Sequence, residues 1–302
     1  MDPKGIIVAL ATPLDEDEQV DAVGLRRLIE HVVGAGVHTL LVLGAMGEGP
    51  ALTDETRSKT VELTREFAGG GATVICGVME ASTQRAIESA RAAHRVGADA
   101  ILGLPPLFYR HGGDAAVTAH LLDLAENAPL PVWLYNTPAQ TRTTFSMPML
   151  ERLSDHGNIV AMKDSSGDFG YFQQLLAMFK HEGGLDLYQG VGYFLGYSVM
   201  MGAAGGVAGL VNLVPRFFAQ LYDAALSKDV DRVVQMQNLL LDYRPLVVPG
   251  TDMGVALIKA GLEMLGLCGS RATRPFSRIE PERRSRLQGF LDHCRECEQP
   301  PA

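Results

Sequence analysis

Ile159-Val160-Ala161-Met162-Lys163-Asp164-Ser165-Ser166-Gly167-Asp168 runs four apolar residues straight into a lysine, and a polar, glycine-containing turn follows at once. The profile is that of a buried strand whose last side chain is an amine. A lysine so placed is either paired or chemically used, because burial disfavours its charged form. The bland alternative is a strand-end lysine that snorkels to the surface. The chain has six lysines, and only Lys163 closes an apolar run: Lys4 is near the N-terminus, Lys59, Lys180 and Lys259 fall in helix-like segments, and Lys228 follows one.

Outward from this stretch the same unit recurs. Residues 6–10, 39–43, 73–76, 98–104, 131–135, 159–163, 186–189 and 205–208 read as eight short, almost continuously apolar strands. Amphipathic stretches separate them. Asp21 is an N-cap for a helix with Leu25, Leu28, Ile29, Val32 and Val33 on one face, closed by Gly34 and Gly36. Further helices begin near Thr53, after Ser82, at Asp114, after Ser146, at Asp168 and at Tyr193, and residues 217–226 form the eighth. Strands apolar on both faces, alternating with helices, are parallel and doubly covered. Eight such units predict an α/β fold, a (β/α)8 TIM barrel over residues 1–226. A doubly wound open sheet is the alternative; the strand count favours closure, and no G-x-G-x-x-G follows the first strand. Residues 230–241, 253–265 and 281–297 read as three more helices, so residues 227–302 form a C-terminal helical extension, tail-like only at Gln299-Pro300-Pro301-Ala302.

The bulk properties narrow the class. The 302 residues are 47% hydrophobic and 20% charged, as in a globular enzyme, and no apolar run reaches the roughly 18 residues that span a bilayer. The first 20 residues show no secretory signal pattern. A net charge of −9 and a pI near 5.4 argue against nucleic acid or an anionic membrane as partner. Cys76, Cys268, Cys294 and Cys297 form no disulfide framework, which suits a reducing cytoplasm. Cys294-x-x-Cys297 stands alone, where a zinc site needs about four ligands.

Barrel enzymes carry their chemistry at the C-terminal ends of strands. The second strand empties into Gly44-Ala45-Met46-Gly47-Glu48, a turn whose successive N–H groups can converge on an anion such as a carboxylate; a plain turn is the other reading. The fifth ends in Tyr135-Asn136-Thr137-Pro138, where a phenol can move protons or simply sit in the core. The sixth ends in Lys163. Tyr135 and Lys163 lie one strand–helix unit apart, hence on adjacent strands. An amine and a phenol at one barrel mouth support Schiff-base chemistry on a 2-oxo acid.

These residues resemble the dihydrodipicolinate synthase / N-acetylneuraminate lyase superfamily of pyruvate-dependent class I aldolases. The resemblance spans nearly the whole chain and rests on Ala11-Thr12-Pro13, residues 44–48, Leu104-Pro105-Pro106, Tyr135-Asn136-Thr137-Pro138, Met162-Lys163-Asp164-Ser165, Gln189-Gly190 and Gly205-Gly206-Val207. It implies that Lys163 forms the Schiff base and Tyr135 is the acid/base. It implies further that Gly44, Ala45, Met46 and Gly47 hold the carboxylate while Gly190 and Val207 line the pyruvate end. The resemblance also implies a homotetramer, a dimer of dimers, with no metal or organic cofactor.

Three positions depart from the synthases of that group. Ala45 and Met46 stand where the family carries hydroxyl residues that relay protons. Phe108, with Tyr109 beside it, stands where a tyrosine crosses the dimer interface. Gln140, with Arg142 two residues on, stands where an arginine binds the second substrate's carboxylate. The expectation is therefore an aldolase giving pyruvate plus an aldehyde, of the 2-keto-3-deoxy sugar acid or 4-hydroxy-2-oxoglutarate type. The alternatives are a 4-hydroxy-tetrahydrodipicolinate synthase, a Schiff-base dehydratase of a deoxy sugar acid, and a non-catalytic 2-oxo acid binder.

Overall fold

The computed structural model describes residues 4–109, 112–180, 184–246, 253–276 and 278–298. Eight parallel strands close into one barrel in chain order: β1 (Gly5–Ala9), β2 (Thr39–Val42), β3 (Thr73–Gly77), β4 (Ala100–Gly103), β5 (Val132–Asn136), β6 (Ile159–Asp164), β7 (Asp186–Gln189) and β8 (Gly205–Ala208). The ring is completed by β8 against β1, with Gly5 opposite Gly205. The open-sheet alternative is thereby excluded.

Around the barrel run α1 (Ala22–Val33), α2 (Asp54–Ala68), α3 (Thr83–Arg95), α4 (Asp114–Asn127), α5 (Pro138–Thr141), α6 (Met147–Ser154), α7 (Phe169–Met178), α8 (Leu195–Met200) and α9 (Pro215–Leu226). The extension adds α10 (Val230–Asp242), α11 (Met253–Met264) and α12 (Pro281–Glu298). The tail 299–302 lies outside the described residues.

Local chemistry sets the helix starts. The side chains of Asp21, Thr53, Ser82, Ser146 and Asp168 each accept a hydrogen bond from a backbone N–H in the first turn of the helix that follows. Two starts differ from expectation because proline sits at the first helical position, where its missing N–H costs nothing. Pro215 begins α9 two residues early, and Pro138 nucleates α5, a single turn invisible to periodicity. The helix expected from Tyr193 opens instead as a 3-10 turn, Gly192–Phe194, before α8.

Alternation along each strand divides the core in two. Side chains facing the barrel axis form an inner cluster that includes Ile7, Leu41, Ile75, Leu102, Trp133, Tyr135, Ala161, Tyr188 and Val207. Side chains facing outward meet the helices in a larger second cluster. Cys294 belongs to that outer layer with Leu287, Phe290 and Leu291. Cys76 is buried as expected, and burial pushes its thiol up to about 12. Among the described residues no helix is long and apolar enough to cross a membrane, and no group of three or more His, Cys, Asp or Glu side chains could hold a metal.

Candidate active site

Strands β5 and β6 pair in a register that sets Tyr135 opposite Lys163 and Asn136 opposite Asp164. Period-two alternation then sends the first pair into the barrel mouth and the second toward the helices. Lys163 and Tyr135 are each only 6% exposed, and the Lys163 Nζ lies 4.4 Å from the centroid of the Tyr135 ring. The outward pair locks the strand ends together. Asn136 Nδ2 donates to Asp164 Oδ1 at 2.7 Å, and Ser166 Oγ donates to Asp164 Oδ2 at 2.8 Å. Burial raises the Asp164 carboxyl above its ordinary value against these hydrogen bonds.

The electrostatics of Tyr135 run the other way. Burial alone would raise its phenol. The Lys163 charge, with hydrogen bonds to Ser165, Thr137 and Lys163, outweighs burial and holds the phenol below its ordinary value. Ser165 and Thr137 were not singled out by sequence reasoning as partners of the phenol, although a signal existed. Each lies two residues beyond a site residue, on the same side of its strand end. They put two hydroxyls beside the phenol, where Ala45 and Met46 offer none.

Tyr135, Thr137, Gln140, Ser165 and Gly190 line a cavity of about 450 Å³ at the C-terminal mouth of the barrel. Lys163 is not itself in the lining; its Nζ stands against the ring of Tyr135, which is. Met46 reaches the same wall, whereas Ala45 is exposed. Gly44 and Gly47 shape the turn: a side chain on Gly47 would meet Leu10 O and Leu43 N, each at 2.9 Å. Among the described residues the amides of Ala45 and Met46 donate no hydrogen bond. Val207 is buried in the inner cluster, and its successors Ala208 and Gly209 reach the cavity wall. Gly190 leaves no unstrained room for a side chain, since a Cβ there would lie 2.1 Å from Ser165 Oγ and 2.6 Å from Asp164 O.

Gln140 lies on α5, and its Oε1 accepts from the Thr137 hydroxyl. Arg142 does not reach this cavity. It lines a separate surface depression with Phe108, Tyr109 and the far side of Gln140. Phe108 and Tyr109 are 86% and 66% exposed and stack edge to face at 4.9 Å, and neither lines the cavity that holds Tyr135.

The C-terminal helices complete the site. Leu240, Tyr243 and Arg244, at the end of α10 and beyond it, and Gly254 and Ile258 of α11 all face the cavity. The next residue of α11, Lys259, is fully buried against Glu48, the residue that ends the 44–48 turn in a left-handed conformation (φ 58°). This contribution was not legible from the sequence, because no local pattern links α11 to the second strand end.

A closed parallel barrel with a buried amine against a phenol at its C-terminal mouth defines a barrel lyase of the class I aldolase type. The chain belongs to the dihydrodipicolinate synthetase family, whose family model it matches over residues 2–294. It is 32% identical over 297 residues to a 4-hydroxy-tetrahydrodipicolinate synthase of Staphylococcus saprophyticus, covering 94% of each chain. The structure of dihydrodipicolinate synthase from Bacteroides thetaiotaomicron matches with a TM-score of 0.89 at 30% identity, over 96% of this chain and 98% of that one. The chloride-inhibited dihydrodipicolinate synthase from Acinetobacter baumannii, complexed with pyruvate, matches with a TM-score of 0.89 at 27% identity, over 97% and 99%.

Proposed function

We propose that this protein catalyses reversible aldol cleavage of a 2-oxo acid into pyruvate and an aldehyde through a Schiff base on Lys163. The observation that carries the reading is the Lys163 amine 4.4 Å from the Tyr135 ring, buried at the paired ends of β5 and β6. The neutral amine attacks the 2-oxo carbon, and loss of water gives an iminium. The substrate carboxylate lies against the free amides of Ala45 and Met46, with Gly44 and Gly47 shaping the turn. Tyr135 takes the proton of the C4 hydroxyl, with Ser165 and Thr137 as hydroxyl partners. The C3–C4 bond then breaks: its electrons pass into the iminium, leaving an enamine of pyruvate, and the aldehyde departs. Protonation at C3 and hydrolysis release pyruvate. Holding the reactants in place contributes most of the acceleration, and acid/base help adds about 10²–10⁴-fold. Gly190 and Val207 bound the pyruvate end.

A second reading, a 4-hydroxy-tetrahydrodipicolinate synthase, is supported by the likeness to the Staphylococcus enzyme of that activity. Gln140 in place of an arginine counts against it. The exposed Phe108 and Tyr109 fit an interface between copies of the chain, in keeping with a homo-oligomer. The deciding experiment is borohydride reduction in the presence of pyruvate, followed by peptide mass analysis. A reduced pyruvyl adduct on Lys163 supports a Schiff-base enzyme, and its absence overturns it. Pyruvate release from a 4-hydroxy-2-oxo acid then identifies cleavage, while water loss without cleavage identifies a dehydratase.

A further inference from the structure

The cavity wall includes a group of side chains that the chemistry at Lys163 leaves unused. Tyr193, Tyr243 and Arg244 form it. The Arg244 guanidinium carbon lies 5.1 Å from the Tyr193 ring centroid, a stacked cation–π arrangement. That wall is held in place from behind. Gln237 of α10, 1% exposed, accepts from Gly196 N at 2.6 Å and donates to Gly192 O at 3.0 Å, clamping both sides of the turn that carries Tyr193. The Tyr243 hydroxyl is already paired with His293 Nδ1 at 2.7 Å. Among the described residues Arg244 has no carboxylate partner, and the Tyr193 hydroxyl has no hydrogen bond.

The charge distribution gives this arginine its meaning. The chain carries a net charge of −9, yet among the described residues no Asp or Glu side chain lines the cavity, and Arg244 is the one charged side chain in the described lining. Lys163, against the lining residue Tyr135, is a base as well. A wall stripped of carboxylates in an acidic protein concentrates anions. A planar guanidinium braced on a ring presents paired donors suited to a carboxylate or a phosphate.

We propose that Arg244 is a specificity-determining residue that binds a second anionic group, at the end of the substrate remote from the 2-oxo acid. The aldehyde released or consumed therefore carries a carboxylate or a phosphate. This rests on the Schiff-base reading for the identity of the near end only.

The test uses the full chain and Arg244→Gln, with Arg244→Lys as the charge-conserving control. Equilibrium binding is measured calorimetrically for 2-oxoadipate and 2-oxohexanoate, which have equal chain length and differ in the terminal carboxylate. Wild type is expected to bind the diacid at least tenfold more tightly, and Arg244→Gln to abolish that preference without weakening 2-oxohexanoate. Turnover with pyruvate then compares glyceraldehyde, tartronate semialdehyde and glyceraldehyde 3-phosphate, which separates carboxylate from phosphate. Arg244→Gln should lower kcat/KM for the favoured anion at least tenfold, while pyruvate alone still forms its borohydride adduct on Lys163. Equal wild-type affinity for the two oxo acids, or an equal loss of both in Arg244→Gln, overturns the proposal. Failure of borohydride trapping in wild type overturns the Schiff-base reading instead, and the binding comparison still decides the role of Arg244.

Discussion

Glu48 and Lys259 form an ion pair 2.9 Å apart with neither side chain exposed. The second Glu48 oxygen accepts from Thr273 N at 2.7 Å and Thr273 Oγ1 at 2.9 Å, while Lys259 Nζ also donates to the carbonyls of Thr12 and Arg271. Thr12 Oγ1 in turn donates to Gly47 O at 2.7 Å. One buried amine thus fastens the first strand end, the 44–48 turn and the segment after α11 into a single network. Removing one partner strands the other charge in the interior, which typically costs about 3–5 kcal/mol. Lys259→Met and Glu48→Gln should each lose about that much in urea unfolding. The double variant should lose clearly less than their sum; strictly additive losses would show that the pair is not coupled.

The fold was legible because its signals are local. Strand residues apolar on both faces, five side-chain caps and the spacing of Tyr135 and Lys163 by one strand–helix unit all sit within short windows. The site was legible only where it follows strand parity. Lys163 and Tyr135 came directly, and Ser165 and Thr137 were available by the same two-residue step. Arg244 and Gly254, which reach the cavity, and Lys259, which braces the 44–48 turn, were not, because all three are placed by packing of the extension on the barrel. Met46 lies 2.8 Å from where a Cβ on Gly209 would stand and 3.8 Å from one on Gly254. Such complementarity between distant segments leaves no periodicity to read.

Glu80 should govern part of the acid stability. Its carboxylate accepts from Arg57 at 2.7 Å, Ser89 at 2.6 Å and Arg85 at 3.0 Å between α2 and α3. Burial alone would raise it, but hydrogen bonds from Ser89 and Arg57, the Arg57 charge and the Arg85 bond together hold it below the ordinary 4.5. The folded state therefore binds this proton more weakly than the unfolded chain. The resulting stability is fully present above about 4.5 and is lost as pH falls from there through the lowered folded value. Glu80→Gln should cost about 1–3 kcal/mol at neutral pH and flatten the acid limb of a stability–pH curve. An unchanged acid limb would remove Glu80 from the account.

Gly190→Ala probes the hydroxyl beside the phenol. The new methyl would collide with Ser165 Oγ and with the Asp164 carbonyl, which accepts from Gly190 N at 2.7 Å. Overpacking of this kind costs about 1–3 kcal/mol, so the variant should fold with a lowered Tm and lose at least an order of magnitude in kcat. Adding Ser165→Ala removes one of the two collisions and should recover part of the Tm but none of the kcat. Wild-type turnover in Gly190→Ala would mean that the Ser165 position does not matter to the reaction.

Lys163 and Tyr135 should be electrostatically coupled in a way that titration can read. The Tyr135 phenol is held below its ordinary value against burial chiefly by the Lys163 charge. Lys163→Met removes that charge and keeps the burial, so the phenol should move upward from its wild-type position. Carbon-13 labelling of tyrosine resolves this one ring by comparison with Tyr135→Phe. Tyr135→Phe should lower kcat by about 10²–10⁴-fold while pyruvate remains trappable on Lys163, since the amine that attacks is untouched. If the phenol titrates identically with and without the Lys163 charge, the proposed acid/base role of Tyr135 loses its physical basis, whatever the rates show.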